Sequence, residues 1–345
     1  MRILIVGTNW IGDAVMTIPA MRRVRRSFPD AHIALYTRRW AEGIFRDADF
    51  LDQIISFAPQ ASKLKTVREG SRLLKKVGFD AAIIFPNSFE SALTVRLAGI
   101  RHRIGYRTDG RGFLMSYAVR VPGWKSKRHE SNYYLNLVEN AEQILLGKVE
   151  GSADTFSPGL SVSDTRKNES LELLRALSVD TTKLSIGLGP GSTNSMAKRW
   201  PAANFARLAD SLISETNANI IVLGSENEQD VADAVKQYAT NDLIDLSGKT
   251  DLSMATSLLS VLDLFISNDM GLAHISGAVG TPTLTIFGPT NENTTRPLGK
   301  HVEIVRKQVE CSPCMLRECP IDHRCMTRIN PDMVFETARR MLQNR

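Results

Sequence analysis

Short runs of aliphatic and β-branched residues alternate along the chain with longer stretches in which apolar residues recur every three or four positions. This is the sequence form of repeated strand–helix units around a parallel sheet. A first series of predicted strands covers residues 2–7 (RILIVG), 31–37 (AHIALYT), 53–58 (QIISFA) and 81–86 (AAIIFP), with helices over 13–27, 63–77 and 88–98. A second series covers 184–189 (LSIGLG), 219–224 (NIIVLG), 243–248 (LIDLSG), 264–269 (LFISND) and 283–288 (TLTIFG), separated by helices over 202–215, 226–238, 252–261 and 271–278. The polar stretch Gly151–Lys183 lies between them and reads as the connection, which gives an N-terminal domain of residues 1–160 and a C-terminal domain of residues 161–345. A last helix over Pro331–Gln343 places Met333, Val334, Phe335, Ala338 and Met341 at helical spacing, so it is expected to pack. No internal repeat and no low-complexity tract interrupts the pattern.

Two doubly wound sheets predict a ligand crevice, because open α/β sheets bind ligands outside the carboxyl ends of their strands. At 345 residues and 43% hydrophobic content the chain can fill two cores. The net charge of +6 is unevenly spread: residues 1–150 carry 24 Lys and Arg against 14 Asp and Glu, and the remainder 19 against 23. A basic first half fits a phosphorylated substrate, an anionic membrane surface or nucleic acid, or is simply an Arg-rich solvated face. Nucleic acid is disfavoured, since no helix-turn-helix, zinc-finger spacing or aromatic strand pair is present. No apolar run approaches the roughly 18 residues of a membrane span, and residues 1–20 read as a strand and loop rather than a targeting segment.

Three strand ends carry the candidate chemistry. The first strand runs into Gly7-Thr8-Asn9-Trp10-Ile11-Gly12-Asp13 and then a helix, an arrangement that lets backbone and helix start approach an anion. It lacks the close glycine pair of a dinucleotide fingerprint, and the second strand ends in Arg38 and Arg39 rather than an acid, which disfavours a nicotinamide dehydrogenase. Asp13 reads either as a first-turn carboxylate that favours the helix dipole or as a general base. The second loop, Gly189-Pro190-Gly191-Ser192-Thr193-Asn194-Ser195-Met196-Ala197-Lys198-Arg199-Trp200-Pro201, offers N–H and O–H donors and a cation to a diphosphate, but its spacing is not that of a P-loop. The third, Ser267-Asn268-Asp269-Met270-Gly271-Leu272-Ala273-His274, ends an apolar strand and opens a helix that Asp269 is positioned to cap.

Taken together these segments resemble glycosyltransferase family 9, the heptosyltransferases, and within it the heptosyltransferase II branch. The resemblance rests on GTNWIGDAVMTIP, GPGSTNSMAKRWP, LGSENE and SNDMGLAHISGAVGTPTLTIFGPT, in that order and each at a predicted strand end, over nearly the whole chain. It implies a GT-B architecture of two Rossmann-like domains facing a central cleft, and an inverting transfer of heptose from ADP-heptose to the Kdo and heptose region of the lipopolysaccharide core. It places the anionic lipid A acceptor on the N-terminal domain, at the inner membrane surface of a cytoplasmic, peripheral enzyme. It further implies that Ser192, Thr193, Asn194 and Lys198 hold the diphosphate, that Glu226 reaches the ribose, that Asp269, Met270, Gly271 and His274 receive the heptose phosphates, and that Asp13 is the base. Met270 stands where the family commonly has a small hydroxyl residue, so only the backbone N–H serves there. No DxD motif lies on a suitable loop to hold a metal, and no catalytic cofactor is expected: Lys198 and loop N–H groups take the leaving-group charge. Arg22, Arg101 and Arg103 are candidate acceptor contacts, since guanidinium groups bind phosphate and carboxylate bidentately.

The four cysteines, Cys311, Cys314, Cys319 and Cys325, crowd one stiff loop that also holds His323. Reduced structural thiols, a structural zinc site, and disulfides or an iron–sulfur site all remain open. Rival functions are a transferase using another nucleotide sugar for a bacterial surface saccharide, a sugar-nucleotide epimerase of similar architecture, or a module that only binds anionic glycolipid. The epimerase needs a set of cleft acids, bases and imidazoles that the sequence does not display.

Overall fold

A computed structural model describes residues 1–149 and 158–344. The chain divides into two compact units, Met1–Pro158 and Gly159–Arg345. The first contains β1 (Arg2–Val6), β2 (His32–Arg38), β3 (Gln53–Phe57), β4 (Ala81–Ile84), β5 (His102–Tyr106) and β6 (Tyr117–Val119), all parallel, in the order β3-β2-β1-β4-β5-β6. The second contains β7 (Ser185–Gly189), β8 (Asn219–Val222), β9 (Ile244–Asp245), β10 (Leu264–Asn268), β11 (Thr283–Phe287) and β12 (Val302–Arg306), again all parallel, in the order β12-β11-β10-β7-β8-β9.

Both sheets have helices on both faces, which is why their central strands read as unbroken apolar runs rather than alternating ones. Ile3, Leu4, Ile5 and Val6 of β1 are all buried, as is every residue of β7, β10 and β11. In each sheet the chain winds outward from the first strand in one direction and returns to its other side for the fourth. The switch points therefore lie between β1 and β4, and between β7 and β10. Loops leaving the carboxyl ends of those strands splay apart and expose backbone, so they are the places built for ligands.

Several strands and helices escape the apolar pattern. β5 and β6 carry Arg103 and a polar flank, and β12 is charged at Glu303 and Arg306. The helix Glu130–Leu146 buries Glu142, whose carboxylate takes a bidentate pair of bonds from Arg23 (2.7 and 2.8 Å) and one from Ser27 (2.6 Å). That ionic clamp joins it to the helix Ile18–Ser27, and a buried charge of this kind is tolerated only when so paired. The helix Asp164–Ala176 buries Arg166 and Ser170 against the helix Leu252–Val261, through Arg166 to the Ser253 carbonyl (2.6 Å) and Ser170 to Ser257 (2.7 Å). The stretch Gly151–Lys183 expected as a connection falls partly outside the described residues, and this helix within it belongs to the second unit. The short helix Arg39–Phe45 follows β2.

The final helix Pro331–Gln343 forms with Pro331 in its first turn and the Asn330 side chain accepting from the Asp332 N–H, an N-cap. Val334, Ala338 and Met341 join the core of the second unit with Trp200, Phe205 and Leu208, whereas Met333 stays exposed. Among the described residues no helix is long and apolar enough to cross a membrane.

Candidate functional site

The second unit's switch point is organised by one amide. Asn268, the last residue of β10 and fully buried, donates from Nδ2 to the carbonyls of Pro190 (2.7 Å) and Gly191 (3.2 Å), and its Oδ1 accepts from the Trp200 N–H (3.0 Å). It thus fastens both ends of the loop that follows β7 to the neighbouring strand. Trp200 anchors the same loop from below, its ring buried against Phe205 and its Nε1 bonded to the Ile329 carbonyl at 2.9 Å. Between these anchors Thr193 and Asn194 are exposed, and a single turn Met196–Lys198 delivers Lys198.

Lys198 Nζ lies 2.7 Å from Asp269 Oδ2, and Thr290 Oγ1 donates to the same oxygen at 2.7 Å. Asp269 is 4% exposed and Lys198 25%. The carboxylate therefore does not cap the following helix; Met270 occupies the N-cap position of Gly271–Val279 without a side-chain bond. Asp269 instead orients the ammonium, and the helix start behind it leaves N–H groups for an anion. A cation held on one side while its other face meets solvent, beside unpaired helix N–H groups, offers positive charge and hydrogen-bond donors to an anion. His274 is buried in the first turn of that helix.

A second carboxylate shapes the loop. Glu228 is buried, its Oε2 accepts from the N–H and hydroxyl of Ser225 (both 2.8 Å), and its Oε1 accepts from Thr193 Oγ1 (3.2 Å). A Cβ built on Gly191 would fall within 2.9 Å of Glu228 Cγ and nearer still to its carboxyl group, so only glycine lets the loop lie this close. Glu226, expected at the ribose, is exposed at the start of the same turn.

The four-cysteine loop braces the cradle from both sides. Ala197 N–H donates to the Arg317 carbonyl (2.9 Å), and His323 Nε2 meets the Ala197 carbonyl (2.6 Å). On the other flank the N–H groups of Cys314 and Met315 donate to the Pro289 carbonyl (3.0 and 2.8 Å), one residue before Thr290. All four thiols are free, and burial, with the other three cysteines nearby, pushes the Cys325 thiol up to about 11. Among the described residues no group of three or more His, Cys, Asp and Glu side chains is arranged to hold a metal ion, so the metal readings of this loop gain no geometric support.

The first unit presents a separate constellation at its own switch point. Asp13 sits half-buried in the first turn of the helix Ile11–Met16, immediately beyond β1. Ser131 Oγ donates to the Met16 carbonyl (2.9 Å), drawing the start of the helix Glu130–Leu146 against it. The Glu130 carboxyl is raised above the usual range by burial, with Lys125 (3.8 Å away) opposing and the Asp13 charge adding to the rise. Burial likewise raises the Tyr134 hydroxyl, again with Asp13 and Glu130 contributing. Lys125 also stands over the Tyr133 ring at 4.7 Å. Asp13 thus belongs to a cluster of acids, phenols and one ammonium, none of which except Asp13 the sequence pattern marked.

Two of the three arginine candidates are otherwise engaged. Arg22 pairs with Asp49 (2.8 Å) and stacks on Phe50. Arg103 is buried and spends its guanidinium on the carbonyls of Ile100, Arg101 and Leu114 at the amino end of β5, where Arg101 also lies. Desolvation lowers its pKa without freeing it for a ligand. The structure does not bring Arg101 or Arg103 to the carboxyl edge with Asp13. Asn268, Glu228 and Thr290 were given no role from the sequence, although Ser225-x-x-Glu228 has the spacing of a capping box and forms one.

A match to Glycosyltransferase family 9 (heptosyltransferase) spans residues 67–324. The chain is 27% identical to a lipooligosaccharide heptosyltransferase 2 of Campylobacter jejuni, over 100% of this chain and 99% of that one. It is also 27% identical to lipopolysaccharide heptosyltransferase 2 of Escherichia coli K12, over 89% and 88%. The solved structure of Escherichia coli ADP-heptose lps heptosyltransferase II superposes with a TM-score of 0.86 at 25% identity, covering 100% of this chain and 99% of that one. With two parallel six-stranded sheets, a lysine–carboxylate pair at one switch point and a carboxylate at the other, the chain belongs to glycosyltransferase family 9, the heptosyltransferases.

Proposed function

We propose that this protein transfers a heptose from ADP-heptose to the inner-core region of lipopolysaccharide, with inversion at the anomeric carbon. The observation that carries the donor half of the reading is the Lys198–Asp269–Thr290 array at the β7/β10 switch point. In this reading Lys198 and the N–H groups of Met270 and Gly271 bind the diphosphate, with Ser192, Thr193 and Asn194 along the same loop. Lys198 then stabilises the negative charge that grows on ADP as the glycosidic bond breaks, a contribution worth several kcal/mol when the donors are fixed in advance. The donor set for the leaving group is a fixed ammonium and backbone N–H groups, so the proposed chemistry routes no step through a divalent cation.

The first unit takes the acceptor. Asp13 removes the proton from the acceptor hydroxyl as that oxygen attacks the anomeric carbon from the face opposite ADP. Glu130 and Lys125 adjust the charge around it. We place the enzyme on the cytoplasmic face of the membrane that carries the acceptor, as a peripheral protein, and give the four-cysteine loop a bracing role, with or without a zinc ion. The test is incubation with ADP-heptose and a deacylated Kdo-containing core acceptor. Formation of the heptosylated product with inverted anomeric configuration is expected. Epimerised donor, or transfer only from another nucleotide sugar, would displace the reading in favour of the corresponding rival.

A further inference from the structure

Four large apolar side chains project from the loops and helix starts that follow four different strands at the carboxyl edge of the first sheet. Trp10 follows β1, Leu64 follows β3, Phe89 follows β4 and Phe113 follows β5, and they are 55, 75, 42 and 74% exposed. Phe89 and Phe113 touch, ring centroids 6.1 Å apart. Leu64 adjoins them because its neighbour Lys63 reaches Glu90, the residue after Phe89, at 2.8 Å. The base of this patch is rigid. Arg111 is fully buried and ties the two phenylalanine loops together, its guanidinium bonded to the carbonyls of Pro86, Ser88 and Tyr106 and to Asn87 Oδ1. A buried arginine that holds two greasy loops in place costs stability unless every donor is used. Here it fixes side chains that face solvent and make no contribution to the core.

Cations border the patch. Lys65 follows Leu64 and is 60% exposed on its side chain, and Arg107 lines the hollow beside Phe113 together with Asp109. Glu90 is occupied by Lys63, and the pair holds its carboxyl below the usual range. Aromatic and aliphatic tips bordered by Arg107 and by Lys65, whose partner Glu69 stands 4.0 Å away on the helix side, match an anionic bilayer surface. The apolar tips enter the headgroup boundary, while the cations meet lipid phosphates. A protein partner would instead require a continuous apolar face with few charges at its centre.

We propose that this edge of the first unit docks on an anionic lipid bilayer through Trp10, Leu64, Phe89 and Phe113, with Lys65 and Arg107 contacting headgroup phosphates. The inference rests on the heptosyltransferase reading, whose acceptor is a lipid-anchored saccharide, and gives that reading a surface. Trp10 lies three residues before Asp13, so docking there brings the proposed base to the height at which a membrane-held sugar is presented.

The test uses the full chain and sedimentation with phosphatidylcholine vesicles, with and without phosphatidylglycerol. The wild-type protein is expected to partition to the anionic vesicles in a salt-sensitive way. Phe89→Ala/Phe113→Ala should lower partitioning about tenfold, and Arg107→Gln about fivefold on anionic vesicles only. Transfer to a deacylated, water-soluble acceptor should stay unchanged in both variants. Leu97→Ala, which removes an equally exposed apolar residue at the opposite end of the Phe89 helix, should change nothing. Absence of vesicle binding by the wild-type chain, or an equal loss in Leu97→Ala, would overturn the docking proposal even if transfer to the soluble acceptor proceeds. Absence of that transfer would refute the functional reading itself, whatever the vesicles show.

Discussion

Asn268 offers a sharp test of how the donor loop is held. Replacing it with alanine strands three buried backbone groups: the carbonyls of Pro190 and Gly191 and the N–H of Trp200. Each buried group left without a partner costs about 1–3 kcal/mol. Water entering the vacated space recovers part of this, which leaves a net loss of about 2–4 kcal/mol. Aspartate is nearly isosteric and still accepts from Trp200, yet it turns two attractive contacts into a carboxylate facing two carbonyl oxygens in a fully buried site. Asn268→Asp should therefore be less stable than Asn268→Ala, the reverse of what shape alone dictates. Urea unfolding of the three proteins reads the stabilities, and calorimetry reads ADP binding, which should weaken about tenfold or more in both variants because the loop between Pro190 and Trp200 loses its tether. A loss below about 0.5 kcal/mol for the alanine variant, or an aspartate variant at least as stable as it, would refute the tethering argument.

Further expectations follow from the same geometry. Gly191→Ala should destabilise by about 1–3 kcal/mol through overpacking on Glu228, and the penalty should shrink in a Glu228→Ala background, a non-additivity that denaturant unfolding of the double-mutant cycle detects. Lys198→Ala should slow transfer about 10²–10³-fold and weaken ADP binding as well; it should also destabilise by about 3 kcal/mol, since it leaves the buried Asp269 carboxylate with Thr290 and no counter-charge. Glu130 has a folded-state pKa raised by burial and by Asp13, so its ionisation opposes folding as pH rises from the usual carboxylate range through the raised value. Glu130→Gln should thus leave stability unchanged at pH 4 and raise it relative to the wild type at pH 8, by denaturant unfolding at the two pH values.

What the sequence disclosed and what it withheld divide along a physical line. β1, β7, β10 and β11 were legible because strands covered on both faces must be continuously apolar, and the glycines and small hydroxyl residues after them mark the ligand loops. The helices Glu130–Leu146 and Asp164–Ala176 were not, because their inner faces carry Glu142, Arg166 and Ser170, whose burial is supported by partners over 80 residues away in sequence or more. Asp13 and Lys198 were singled out from their positions after strands. Glu130 was missed because its proximity to Asp13 depends on the same unforeseen helix. Arg103 is a related case: it looks like a phosphate ligand in one dimension, and in three its guanidinium is consumed by backbone carbonyls.

The account turns on Asp13 as the group that accepts the acceptor's proton, while the second unit alone grips the donor. Turnover with ADP-heptose and the deacylated acceptor, measured for Asp13→Asn alongside ADP-heptose affinity, examines this most directly. A fall in kcat of about 10²–10⁴-fold with donor affinity unchanged is predicted. An Asp13→Asn protein that turns over at the wild-type rate would contradict it.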